Sequence, residues 1–333
     1  MLFSSIEFLL LWGFFMEMLL QFALLVLGFV CLVKGSDWFV DGAAGIATKF
    51  GIPQLIIGLT IVAMGTSAPE AAVSITAAAN GSADITIGNI VGSNILNVLI
   101  ILGLSAVVFP LTVAKSTILI NIPVTIGVTI LLFVLGLDGN ITRIDGIIML
   151  VIFVSYLGFL IWSAKREKNL GKELEASSEE NTEEKPLSIG KAILLTVIGL
   201  ALVILGSRFV VDSASFIARR FGLSERFIGL TIVALGTSLP ELFTSVVAAS
   251  KKNCDIAIGN IIGSNLFNIL FVVGLSSIII PVPFAEAFRI DTLVALGSVV
   301  ALLLFCLPKK RLSRLGGAIF LLAYLAYFIF WLM

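Results

Sequence analysis

Two glutamates stand out by their setting. Glu70 closes the cassette Ala63-Met64-Gly65-Thr66-Ser67-Ala68-Pro69-Glu70, and Glu241 closes Ala234-Leu235-Gly236-Thr237-Ser238-Leu239-Pro240-Glu241. Each lies inside a segment otherwise apolar enough to cross a membrane. A carboxylate in hydrocarbon costs several kcal/mol unless it faces a partner or a water-filled cavity, so an intramembrane acid marks a functional site by default. Proline is the second unusual feature. Pro69 has no N–H for the Gly65 carbonyl and its ring crowds that turn, so the helix is expected to kink or open between Gly65 and Pro69. Backbone carbonyls near Ala63 to Thr66 then become available, an irregularity tolerated at membrane depth only where it is buried in protein or lines a cavity. Thr66, Glu70 and Ser74 recur at four-residue spacing on one face, and Thr237, Glu241 and Ser245 repeat this around Pro240. Oxygen from carboxylate, hydroxyl and carbonyl is the ligand set of a hard cation; Ca2+ takes about six to eight such oxygens at about 2.3–2.6 Å. A plain proline kink, with hydroxyls bonded back to their own helix, accounts for one cassette but poorly for two intact copies.

A second pair of motifs carries amides. Gly88-Asn89-Ile90-Val91-Gly92-Ser93-Asn94-Ile95-Leu96-Asn97 returns as Gly259-Asn260-Ile261-Ile262-Gly263-Ser264-Asn265-Leu266-Phe267-Asn268. Asn89, Ser93 and Asn97 share a helix face, as do Asn260, Ser264 and Asn268. The glycines allow close approach of a neighbouring helix. Asn89, Asn94, Asn260 and Asn265 read equally as interhelical glue and as ion ligands. Ser93, Asn97, Ser264 and Asn268, one to two turns deeper, read as ligands. Asp37, Asp41 and Asp212 lie near helix ends, where interfacial salt bridging is the expected role.

The elements that must position these groups are membrane helices. The chain of 333 residues is 59% hydrophobic and 13% charged, with a mean hydropathy of +1.14, and apolar runs of about 20 residues recur along it. Ten candidate spans result: 17–45, 53–79, 84–109, 115–136, 142–164, 188–217, 224–250, 255–281, 289–307 and 313–332. The expected fold is therefore all-α and polytopic. Residues 1–16 form an N-terminal extension that either lengthens the first helix, lies at the interface, or precedes a start at Met16 or Met18. It has no basic stretch of the kind that opens a cleaved signal peptide. Residues 165–187 combine Lys165, Arg166, Lys168, Lys172 and Lys185 with seven glutamates and no aromatic residue, a composition that cannot bury a core and reads as a solvated linker. The absence of histidine excludes His-ligated metal and His-based catalytic triads, and a formal net charge of zero gives no reason to expect a nucleic-acid partner. Cys31, Cys254 and Cys306 have no paired spacing and read as apolar fillers rather than a disulfide framework.

Internal repetition organises the whole. Residue n matches residue n + 171, beginning with Gly35 and Gly206 and running without a gap to Pro110 and Pro281, with about half the positions identical. The first repeat occupies 17–164 and the second 188–333, with five spans in each. An odd number of spans starts the second repeat on the opposite side of the membrane, so the two are expected to be inverted, and such architectures place their substrate site at the midplane on interrupted helices. Fourteen Lys and Arg residues (Lys49, Lys115, the five in the linker, Lys191, Lys251, Lys252, Lys309, Lys310, Arg311 and Arg314) fall on the linker side. Five (Arg143, Arg219, Arg220, Arg226 and Arg289) fall on the other. The positive-inside rule then predicts a cytoplasmic linker and both termini outside, in a multi-pass protein of the cell membrane.

The paired motifs Gly-Thr-Ser-x-Pro-Glu and Gly-Asn-x-x-Gly-Ser-Asn-x-x-Asn resemble the two α-repeats of the cation/Ca2+ antiporter superfamily, and the chain is similar to its prokaryotic sodium/calcium exchangers from residue 17 onward. The resemblance implies ten helices in two inverted five-helix halves and a diamond of four ion sites at the centre. Carried over by motif, the ligands are Glu70 and Glu241 with the carbonyls of Ala63 and Ala234. Thr66, Ser67, Ser93 and Asn97 join them from the first repeat, and Thr237, Ser238, Ser264 and Asn268 from the second. Some members have aspartate where this chain has Asn268; two carboxylates rather than three argue against potassium dependence. The implied function is exchange of Ca2+ for Na+ by alternating access, with these ions as substrates, no resident cofactor and the lipid bilayer as surroundings. Spans one and six, long and nearly unbroken, are the candidates for sliding past the rest. Proton/calcium exchange through the same glutamates is the open alternative. Mg2+ fits poorly with all-protein ligation, and a channel does not need a cassette symmetric about the midplane. A serine hydrolase built on Ser67 or Ser238 has no base but glutamate, so the chain is not expected to be an enzyme.

Overall fold

Seven-residue spacing of glycine decides how the two long helices that open the repeats meet. Gly28, Gly35 and Gly42 lie on α1 (Ser5–Phe50), and Gly199 and Gly206 on α7 (Ile189–Arg220). A Cβ at Gly28 would lie 2.9 Å from the Gly206 carbonyl oxygen, and one at Gly35 would lie 2.9 Å from that of Gly199. A Cβ at Gly42 would meet the backbone of Ala192 and Thr196. Only glycine permits this approach, and backbone-to-backbone packing of this kind drives association where lipid offers no hydrophobic force. Numbers rise along α1 as they fall along α7, so these repeat-equivalent helices run in opposite directions. An Arg220–Glu17 pair at 2.7 Å joins them at one end.

The computed structural model describes residues 5–175, 187–222 and 234–332. Between α1 and α7 the chain forms α2 (Gln54–Thr66), α3 (Ala68–Ala79), α4 (Ile85–Val108), α5 (Thr117–Asp138) and α6 (Arg143–Glu175). After α7 come the single turn α8 (Ala234–Thr237), then α9 (Leu239–Ser250), α10 (Cys254–Ile279), α11 (Glu286–Cys306) and α12 (Arg314–Leu332). Seven of these helices are long and apolar enough to cross a membrane, and the bent pair α2/α3 would make an eighth. Shorter apolar helices, Leu239–Ser250 and Arg314–Phe330, occupy the expected seventh and tenth spans. Residues 224–233 of the seventh span and 176–186 of the linker lie outside the described residues.

Of the readings open for residues 1–16, lengthening of the first helix is the one seen over residues 5–16. One boundary differs from the sequence expectation: α6 continues past Ala164 to Glu175. Glu, Lys, Leu and Arg are good helix formers, so the charged stretch after the apolar span extends the helix without needing a core.

Two short antiparallel pairings tie the repeats together. Leu111–Thr112 pairs with Arg311–Leu312, and Asn140–Ile141 pairs with Val282–Pro283. The offset of 171 residues carries each pairing into the other, so they are equivalent under the repeat. The two motif helices α4 and α10 form the centre, α10 being almost wholly buried. Gly259 and Gly263 let α10 press on α2: their Cβ atoms would meet the carbonyl oxygens of Leu55 and Leu59. Gly88 faces the Phe288 ring, and nothing described lies within 4 Å of a Cβ at Gly92. The three cysteines are free.

Candidate ion-binding site

The expected break is present. α2 and α3 are bent by 50°, with Ser67 at the joint (φ −80°, ψ 6°) and Pro69 in the first turn of α3. Ser238 (φ −89°, ψ 4°) and Pro240 repeat it between α8 and α9. Proline suits a first helical turn, where a missing N–H costs nothing. The consequence is that Ser67, Glu70, Ser238 and Glu241 all project from helix N-termini, where the backbone field favours negative charge. The Ala63 carbonyl is not released by the break. It still accepts the Ser67 N–H at 3.0 Å and also takes the Thr66 hydroxyl at 3.3 Å and the Ser264 hydroxyl at 3.4 Å.

The carboxylates are bonded across the repeats. Ser67 Oγ donates to Glu241 Oε1 at 2.7 Å, and Ser238 Oγ donates to Glu70 Oε1 at 3.1 Å. Both glutamates are only 1% exposed. Ser238 also lies 3.4 Å from Ser93 Oγ, which brings the α4 motif to the same place. Thr237, in the turn that Ala234 opens, faces the Glu70 carboxylate. No arginine or lysine pairs with either glutamate among the described residues.

Four asparagines, on which two readings were open, divide into two roles. Asn89 donates to Ser74 Oγ at 2.9 Å and to the Glu70 carbonyl at 3.3 Å, bracing α3 against α4. Asn260 does the same to Ser245 at 2.9 Å and accepts from Thr66 at 3.0 Å. Asn94 and Asn265 meet across the repeat boundary, each donating to the other's backbone carbonyl at 3.2 and 3.4 Å. Their side-chain oxygens take the amides of the deeper pair: Asn97 donates to Asn265 Oδ1 at 2.9 Å and Asn268 to Asn94 Oδ1 at 3.1 Å. With its Nδ2 held, each deeper amide has its oxygen turned the other way. Both Asn97 and Asn268 also open π-helical turns, Asn97–Leu102 and Asn268–Val273, a distortion frequent at functional sites.

Four buried carboxylate and amide oxygens of these motifs then remain without a partner in the described structure: Glu70 Oε2, Glu241 Oε2, Asn97 Oδ1 and Asn268 Oδ1. Leaving such a group unsatisfied costs about 1–3 kcal/mol, more when it is charged. Two acids and two amide oxygens, one of each from either repeat, are oxygen types that a hard cation takes. Among the described residues no group of three or more His, Cys, Asp or Glu side chains is placed to hold a metal ion. In the first repeat the acids expected at a helix end form the expected salt bridges, but within α1, which runs on to Phe50. Asp37 and Asp41 on α1 both grip Lys251 Nζ at 2.6 Å, at the turn that follows α9.

The cross-repeat pairing of each serine with the other glutamate, and the π turns, were not read from sequence. The one signal for the asparagine split was the recurrence of Ser-Asn-x-x-Asn in both motifs, which puts an amide on two faces of each helix.

A family model described as "Sodium/calcium exchanger protein" matches residues 20–162 and 191–333. The inner membrane protein YrbG of Escherichia coli is 40% identical over 266 residues, covering 79% of this chain and 81% of that protein. The sodium/calcium exchanger MaX1 of Methanosarcina acetivorans is 32% identical over 341 residues, covering 93% of this chain and 97% of that protein. A structure of the sodium-calcium exchanger NCX_Mj soaked with 2.5 mM Na+ and 10 mM Sr2+ superposes with a TM-score of 0.81 at 34% identity, covering 94% of this chain and 99% of that one.

Proposed function

Because the chain belongs to the sodium/calcium exchanger protein family, we propose that it is a secondary antiporter that exchanges Ca2+ for Na+ across the membrane by alternating access. The observation that carries this reading is the set of four buried, unpartnered oxygens on Glu70, Glu241, Asn97 and Asn268. One Ca2+ brings two carboxylates to neutrality. The hydroxyls of Thr66, Ser67, Ser93, Thr237, Ser238 and Ser264, and the carbonyls of Ala63 and Ala234, are the neutral oxygens from which the roughly two to four still needed for an all-protein shell of about six to eight are drawn.

The architecture belonging to this mechanism is ten membrane spans in two inverted five-helix repeats. The opposed directions of α1 and α7 support it, as do the equivalent strand pairings between the repeats. The pair α1/α7 is the mobile body, because glycine packing makes one unit of two helices that carry none of the twelve ligands. The charge distribution supports a cytoplasmic linker and external termini.

Counting charge makes the exchange electrogenic. Two glutamates with one Ca2+ are neutral, whereas with three Na+, the number that the family resemblance implies, the site carries one positive charge. Each cycle then moves one net charge, and the membrane potential contributes about 2.3 kcal/mol per charge per 100 mV. Flux of 45Ca2+ into proteoliposomes with and without a Na+ gradient, at two voltages clamped by valinomycin and K+, tests both statements. Voltage-sensitive uptake that needs the Na+ gradient is expected. Uptake indifferent to voltage and driven by a pH gradient would instead assign the counter-ion as the proton.

A further inference from the structure

The α1/α7 pair does not sit symmetrically on the two repeats. Ser207, on α7, donates to the Gly236 carbonyl at 2.7 Å. That carbonyl is the acceptor whose helical donor, four residues on, is replaced by Pro240 with no N–H. The 171-residue offset makes Ser36 on α1 the equivalent of Ser207, and it makes Gly65, whose donor is lost to Pro69, the equivalent of Gly236. Ser36 is fully buried, yet its hydroxyl has no partner in the described structure. A buried hydroxyl left unpaired is costly, and each such case in a native fold calls for a reason.

Packing at the two glycines gives a second, independent sign of the same displacement. A Cβ at Gly236 would strike Val211 of α7. At Gly65 its three nearest atoms belong to Leu200 and Phe39, at 3.1 to 3.4 Å, where the equivalent of Val211 is Val40. The helix pair is thus docked on the Gly236 break and out of register with the Gly65 break.

We propose that Ser36 and Ser207 are positioning residues that take turns. In the state described here Ser207 caps the Gly236 carbonyl, and in the opposite access state Ser36 caps the Gly65 carbonyl. The inference rests on the alternating-access reading above, in which exchange of the repeats' roles converts one state into the other. Its effect reaches the ions without either serine touching them. Gly65 precedes Thr66 and Ser67, and Gly236 precedes Thr237 and Ser238, so each capping bond holds the turn that carries ligands. Sliding the pair passes that hold from one half of the site to the other.

Double electron–electron resonance tests this in proteoliposomes. Spin labels replace the exposed residues Phe221, at the end of α7, and Leu137, at the end of α5, after Cys31, Cys254 and Cys306 are changed to serine. Ser207→Ala should shift the ratio of the two distance populations by about two- to tenfold away from the wild-type major state, the size of one net hydrogen bond. Ser36→Ala should shift it by a similar factor in the opposite direction, and Ser36→Ala/Ser207→Ala should return it close to wild type. Shifts of the same sign in both single variants, or no shift in either, would overturn the proposal. Ca2+ flux of the unsubstituted protein is measured alongside; its absence would refute the exchange reading while the label distances still judge the serines.

Discussion

Ser67 of the first repeat and Glu241 of the second are joined by a 2.7 Å hydrogen bond, Oγ to Oε1, between residues 174 positions apart in the chain. Its counterpart, Ser238 to Glu70, is longer at 3.1 Å. Each carboxylate is thereby anchored through one oxygen by the other repeat's helix break, and its second oxygen is left without a partner in the described structure. Neither repeat can build half of the site alone, since each glutamate depends on a hydroxyl from across the boundary.

That dependence predicts the outcome of neutralising either acid. Glu70→Gln and Glu241→Gln should each lower Na+-driven Ca2+ uptake by roughly a hundredfold or more, because a divalent ion would be left half neutralised in a buried site. Size-exclusion chromatography should report an unchanged, folded protein. Near-normal uptake in either variant would remove that residue from the centre.

The asparagine clamp acts differently. Asn265 accepts from Asn97 and donates to the Asn94 carbonyl, so Asn265→Ala should leave Asn97 free to turn while keeping every proposed ligand. The expected result is a KM for Ca2+ raised about five- to tenfold, the loss of one to two net hydrogen bonds, with maximal flux much less changed. Asn94→Ala should do the same through Asn268. A fall in maximal flux at constant KM would mean that the clamp serves movement rather than ligand orientation.

Glycine packing between α1 and α7 sets a third expectation. A Cβ at Gly199 would lie 2.5 Å from the Phe39 backbone nitrogen, which no side-chain adjustment relieves. Gly199→Ala should destabilise the protein by about 1–3 kcal/mol. Gly190→Ala, on the same helix with nothing within 4 Å, should be neutral or slightly stabilising. Thermal unfolding in detergent measures both; equal Tm values would show that the close approach is not maintained.

Lys251 provides the fourth. Burial alone would lower its ammonium pKa, but the hydrogen bonds and charges of Asp37 and Asp41 outweigh that and raise it above the ordinary 10.5. A raised value means that the contact's stabilisation is fully present below 10.5 and is lost only as pH climbs through the folded value. The grip is therefore constant across the physiological range. Salt is the variable that weakens it, since the partners are partly exposed. Its repeat equivalent cannot form, because Asn80 and Arg208 stand where Lys251 and Asp37 stand in the other half. If the clamp restrains α1 against the core, choline chloride should accelerate wild-type exchange and leave Lys251→Met unaffected. The same salt response in both would detach the clamp from transport.

Sequence alone determined everything that depends on spacing along one helix or on comparison of one half with the other. Pro69 and Pro240 dictated a break at Ser67 and Ser238, because a missing N–H is a local fact. Four-residue spacing aligned Glu70 with Ser74 on α3, although the 50° break sets Thr66 on a different helix, and the offset from Gly35 to Gly206 disclosed the repeat. What it left open were choices between faces and partners: whether Asn94 or Asn97 points at the site, and which serine reaches which carboxylate. Those contacts join positions 168 to 174 residues apart. They exist only once α3, α4, α9 and α10 pack, and hydrogen-bond capacity is then allotted by who lies within about 3 Å. The unequal fates of Ser36 and Ser207 belong to the same class. Their local sequences are near copies, and only the position of the α1/α7 pair against the rest makes one hydroxyl bonded and the other not.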